Sequence, residues 1–149
     1  AEMLLIMCYS GWRISEYIGL EVNLQKKYFM GGIKTEAGKG RIVPIHSGIL
    51  PLVERRISKY GKLLPCSDKD FRKQMDELLN RLGIPGDPKH TPHDCRHTFS
   101  MLCEKYEVKE NDRKRMMGHS FKADITNKVY GHRDIEDLRK ELEKIIIDL

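Results

Sequence analysis

Residues 26–45, Lys26-Lys27-Tyr28-Phe29-Met30-Gly31-Gly32-Ile33-Lys34-Thr35-Glu36-Ala37-Gly38-Lys39-Gly40-Arg41-Ile42-Val43-Pro44-Ile45, interrupt a chain that otherwise reads as helix. Gly31-Gly32 and Gly38-Lys39-Gly40 mark turns, and the aromatic and β-branched residues around them mark strands. The stretch predicts a small antiparallel sheet. On both sides of it the period is helical. Upstream, residues 2–9 are apolar on nearly every side and read as a buried helix, broken at Ser10-Gly11. A second helix is expected from near Arg13 through Leu20. Downstream, Ile49, Leu52, Val53 and Ile57 recur at helical spacing. Ser67-Asp68 predicts the start of a helix that turns Phe71, Met75, Leu78, Leu79 and Leu82 inward and ends at Gly83. Thr91 caps the next, with Pro92 at its first position and His93, Arg96, His97, Phe99 and Leu102 along it. A polar helix near 112–117 ends at Gly118, and Ile135, Leu138, Leu142, Ile145 and Ile146 form a last amphipathic stripe. The fold class is therefore α+β, mainly α-helical with one small antiparallel β-sheet inserted early.

A length of 149 residues fits one domain, 1–149, with a core large enough to need no disulfide staples. The 27 Lys+Arg against 22 Asp+Glu leave a net charge of +5, a weak lean towards an anionic partner. The longest apolar stretch, 3–9, is far too short to span a membrane and lacks the basic flank of a signal peptide. Four scattered cysteines with no CxxC pair suit a reducing compartment. A soluble, cytoplasmic protein with no membrane partner is expected. The chain opens on Ala1 and runs at once into an apolar stretch, which reads as a fragment cut from a longer protein.

Four local patterns could carry chemistry, and each alone is ordinary. Gly11-Trp12-Arg13-Ile14-Ser15-Glu16 places an arginine just after a helix break, where a solvated side chain is the default. Lys34-Thr35 through Val43-Pro44-Ile45 places a lysine in a hairpin. In His93-Asp94-Cys95-Arg96-His97, His93 and Arg96 share a helix face and together suit an oxyanion or phosphate. The competing reading there is zinc, because His93 and His97 have the i, i+4 spacing of a zincin helix. Asp94 stands where that motif has glutamate, and Arg96 would set positive charge beside the cation. The fourth pattern is Gly118-His119-Ser120 followed by Val129-Tyr130-Gly131-His132.

Their order and joint presence resemble the tyrosine recombinase family, the phage-integrase type of site-specific recombinase. The resemblance runs from about Leu4 to His132. It covers a Gly-x-Arg-x-Ser-Glu segment, a hairpin lysine before a Val-Pro-Ile strand end, a His-x-x-Arg-His-Thr segment, Gly-His-Ser, and Val-Tyr-x-His. It implies the catalytic-domain fold of that family and a catalytic set of Arg13, Lys34, His93, Arg96, His119 and Tyr130. Lys34 is taken over Lys39 on its Lys-Thr context. Tyr130 would attack the DNA phosphate with His93 as base. Arg13, Arg96 and His119 would hold the phosphate oxygens, and Lys34 would protonate the leaving 5′ oxygen. A 3′-phosphotyrosine bond conserves the phosphodiester energy, so no ATP, metal or other cofactor is expected. Glu16 could orient Arg13, and Asp94 is a second candidate buttress.

The implied partners are double-stranded DNA and further copies of the chain: a tetramer on synapsed DNA, a monomer when free. Lys39, Arg41 and Lys122 are candidate phosphate contacts, as is the run Arg113-Lys114-Arg115. The stripe from Ile135 onward either packs on its own domain or docks on a neighbouring protomer. Type IB topoisomerases share a similar constellation, and an inactive DNA-binding module is a third reading.

Overall fold

The computed structural model describes residues 1–32, 39–119 and 133–148. Helices α1 (Glu2–Cys8) and α2 (Ile14–Tyr17) precede strands β1 (Glu21–Asn23), β2 (Tyr28–Gly31) and β3 (Arg41–Pro44). A 3-10 turn, Ser47–Ile49, leads into α3 (Leu50–Tyr60), α4 (Asp68–Arg81), α5 (Pro92–Lys105), α6 (Glu110–Met117) and α7 (Ile135–Leu142). The α+β class expected from the sequence is what the chain adopts.

The sheet is antiparallel in the order β1-β2-β3. Phe29 lies opposite Val43, and both are fully buried. Their neighbours Met30 and Ile42 pair on the other face, where Ile42 is exposed. Side chains alternate between faces along a strand, so Arg41 shares the inner face with Val43. Strand β1 is an addition to the sequence reading: Val22 between Glu21 and Asn23 is too short an alternation to register. The helix expected through Leu20 also stops sooner, at Tyr17.

Helix α5 runs through the core with Cys95, Arg96, Phe99 and Cys103 buried, and α1 packs on it. Its start follows the sequence signal: Pro92 occupies the first turn, and the Asp94 carboxylate accepts the Thr91 N–H at 2.8 Å. Ser67 likewise caps α4, accepting from the Asp70 N–H at 3.1 Å. Leu82 does not join that helix's inner face. It follows the last turn and is 61% exposed.

The C-terminal stripe packs on its own domain. Leu138, Leu142 and Ile145 are buried, while Ile146 faces solvent. Helix α7 lies against β3 and α6. Beyond it, the Ser47 backbone N–H and hydroxyl both donate to Glu143, at 2.7 and 2.6 Å. The His46 ring joins the Ile145 carbonyl at 2.8 Å. Its Nδ1 accepts from the Gly48 N–H, so Nε2 carries the proton and donates to that carbonyl.

Candidate active site

Three segments far apart in sequence meet around one guanidinium. Arg96 projects from α5 and is 3% exposed. Its Nη1 donates to the Gly11 carbonyl, and its Nη2 donates to the Met117 carbonyl at 2.6 Å. The same Nη2 lies 3.2 Å from His119 Nε2. Arginine can only donate, so His119 Nε2 is the acceptor and its proton sits on Nδ1.

Local backbone geometry aims these groups. Gly11 has φ +69°, and a Cβ there would collide with the Phe99 ring, so only glycine turns its carbonyl onto Arg96. Gly118 ends α6 in the left-handed conformation at φ +70°. The His119 N–H then caps the helix on the Lys114 carbonyl at 2.9 Å, which swings the imidazole back towards Arg96.

Arg13 opens α2 directly after Gly11-Trp12. Its backbone N–H donates to Glu16 Oε2 at 2.8 Å, and its Nη1 lies 3.7 Å from Glu16 Oε1. That Nη1 is buried and has no hydrogen-bond partner among the described residues. Buried donors are normally paired, so an unpaired one beside a second arginine suits an incoming anion. Glu16 does orient Arg13, as the sequence suggested. Among the described residues the Asp94 carboxylate has other partners than the two arginines. It caps its own helix and lies 3.5 Å from His90.

His93 stands exposed on the first turn of α5, its ring edge-on to His97 at 4.8 Å between centroids. Burial holds the His93 pKa below its usual value, and the charges of His97 and Arg96 push it further down. His119 is lowered too, by burial and then by Arg96 and Arg13. Both shifts favour the neutral imidazole. Burial, Arg13 and Arg41 bring the Arg96 pKa down to about 10, and the nearby Glu16 carboxylate offsets this only in part. The structure thus brings together Arg13, His93, Arg96 and His119. Lys34, Lys122 and Tyr130 lie outside the described residues.

Among the described residues the zincin-like spacing of His93 and His97 gains no third donor. Among the described residues no group of three or more His, Cys, Asp or Glu side chains is placed to hold a metal.

The expected phosphate contacts need correction. Lys39 is exposed, but Arg41 is 9% exposed and fully engaged inside the fold. It forks onto Glu16 at 2.9 and 3.0 Å, donates to the Met116 carbonyl at 3.0 Å, and lies 3.7 Å above the Trp12 ring. A guanidinium so held is engaged by the fold rather than presented to solvent. The alternation Arg41, Val43, Ile45, two of them plainly core residues, was the signal that could have found this. The run 113–115 is also paired with acids: Arg113 with Glu104, Lys114 with Glu110 and Arg115 with Asp112.

Among curated proteins and among solved structures, none matches the chain. The family model described as "Phage integrase family" matches residues 1–137, from α1 through the site to the first turn of α7. A match over so much of a 149-residue chain, on a fold that assembles the family's arginine and histidine motifs, shows that the protein belongs to the phage integrase family of tyrosine recombinases.

Proposed function

We propose that this chain is a recombinase catalytic domain that cleaves and rejoins duplex DNA through a 3′-phosphotyrosine bond at Tyr130, serving integration or excision of a phage or mobile element. The observation that carries the reading is the Arg96 guanidinium, held by the Gly11 and Met117 carbonyls beside His119 with Arg13 close by.

The phenol of Tyr130 has an unperturbed pKa of about 10 and needs a base as it attacks. Neutral His93 takes that proton. The new O–P bond forms as the P–O5′ bond breaks, and Lys34 protonates the departing 5′ oxygen. Charge building on the non-bridging oxygens is met by Arg13, Arg96 and the His119 Nδ1–H. Such positioning supplies most of the catalysis in phosphoryl transfer. Religation runs the same steps backwards, with a 5′ hydroxyl attacking the phosphotyrosine. The roles of Lys34 and Tyr130 rest on the resemblance of their motifs. Strand exchange between two duplexes calls for four copies of the chain on DNA.

The test is a covalent adduct. The protein at high concentration is mixed with labelled, nicked duplexes from the ends of the encoding element and run on a denaturing gel. A shifted band that is lost in Tyr130→Phe is expected. A band that survives Tyr130→Phe places the nucleophile elsewhere and breaks the reading.

A further inference from the structure

We propose that Arg41 is a positioning residue for this transfer reaction, holding Arg13 through Glu16 and tying β3 to the end of α6 that presents His119. The proposal rests on the recombinase reading above. Arg41 opens β3 and reaches both Glu16 in α2 and the end of α6, so it joins parts of the site that share no stretch of sequence.

The geometry is specific to a guanidinium. Nη1 and Nη2 meet the two oxygens of Glu16 at 2.9 and 3.0 Å, a paired fork. Nε meets the Met116 carbonyl at 3.0 Å, one residue before the carbonyl that holds Arg96. The cation lies over Trp12, which sits between Gly11 and Arg13. Glu16, fixed in this way, accepts the Arg13 N–H at 2.8 Å and lies 3.7 Å from Arg13 Nη1. An ammonium cannot reproduce the fork and the carbonyl bond together. Arg41→Lys therefore keeps the charge and loosens the link.

The experiment compares Arg41→Lys, Glu16→Gln and the double variant with wild type in single-turnover adduct formation at saturating nicked DNA. DNA affinity is measured at several salt concentrations. Trp12, the chain's only tryptophan, is fully buried, so its emission reports the folded fraction of each variant. Rates are taken per folded molecule. Arg41→Lys is expected to slow adduct formation about 10- to 100-fold, the scale of a small misplacement, with affinity and salt dependence unchanged. Because both residues act through one link, the double variant should be no slower than the slower single variant.

A wild-type rate from folded Arg41→Lys overturns the proposal. So do strictly additive losses. So does a weaker affinity with the salt slope reduced by about one at an unchanged saturated rate, which would make Arg41 a phosphate contact. If Arg41→Lys does not fold, Glu16→Gln reads the same link from its other side, and a wild-type rate there overturns the proposal equally. Failure of the wild type to form any adduct strikes the recombinase reading instead, and separates the two failures.

Discussion

Two guanidinium groups lie buried against the end of α6, one reached from α5 and one from β3. Arg96 binds the Met117 carbonyl and Arg41 the Met116 carbonyl. Each also grips the first part of the chain, Arg96 at the Gly11 carbonyl between α1 and α2 and Arg41 at the Glu16 carboxylate within α2. They differ in what meets the charge. Arg41 is neutralised by Glu16. Arg96 has two carbonyls and His119, and no ion pair among the described residues. Burial is thus no guide to which arginine serves an anion. The charge of the partner is: one guanidinium meets a carboxylate, and the other, met only by neutral groups, is the one the proposed reaction uses.

The comparison breaks most directly at Glu16. Glu16→Gln leaves Arg41 buried without its carboxylate, and breaking such a pair costs about 3–5 kcal/mol. Urea unfolding at pH 7 measures it; a loss below about 1 kcal/mol would mean that Arg41 needs no counter-charge. Burial pushes the Glu16 pKa up, but the bonds from Arg41 and Arg13 outweigh it and hold the carboxyl below its usual value. A folded value below the unfolded one gives stability that is complete above the unfolded pKa of about 4.3 and lost as pH falls through the folded value. Glu16→Gln should flatten this acid limb.

Arg96→Lys should show the opposite balance. Losing one preorganised donor to a developing oxyanion costs about 10²–10³ in rate. Its partners are carbonyls, so unfolding by urea should move less than in Glu16→Gln. A stability loss as large as that of Glu16→Gln, with the wild-type adduct rate per folded molecule, would reverse the two roles. Gly11→Ala follows in size. Its positive φ and the collision with Phe99 predict a loss of about 1–3 kcal/mol, together with slower adduct formation, because the misplaced carbonyl is Arg96's own acceptor.

The readable parts of this molecule were those governed by local signals. Ser67, Thr91-Pro92 and Gly118 each act within one helical turn, and each starts or ends a helix where expected. Arg13, His93, Arg96 and His119 were legible as motifs, though nothing in their spacing says that one guanidinium joins them. Arg41 was misread because its partners are remote. Glu16 lies 25 residues away and Met116 lies 75, and a charged residue in a hairpin is solvated by default. Strand alternation with Val43 pointed inward, but that signal was outweighed by composition. β1 escaped because three residues carry almost no period. The destination of the C-terminal stripe was undecidable from its amphipathicity, which fits any apolar surface. In the single chain, the His46 and Ser47 contacts hold it on its own domain.

The smallest expected effect is a pH shift, and, read per folded molecule, it separates the two arginines. After burial, the charges that depress His93 are those of His97, Arg96 and Arg13; Arg41 is not among the leading causes. In the proposed reaction His93 acts as a base only when neutral, so adduct formation should fall as pH drops through its pKa. His97→Ala removes one depressing charge, the His93 pKa rises towards its ordinary value, and the acid limb of the rate profile moves to higher pH. The rate at pH 8 should hold while the rate at pH 6 falls a few-fold, within the range expected for a modest shift of one base. Arg96→Gln should move the limb in the same direction on top of its loss of rate. Arg41→Gln should leave the limb in place. If Arg41→Gln moves it as far as Arg96→Gln does, then Glu16 does not cancel the Arg41 charge at the site, and the division between the two buried guanidinium groups fails on electrostatics as well as on geometry.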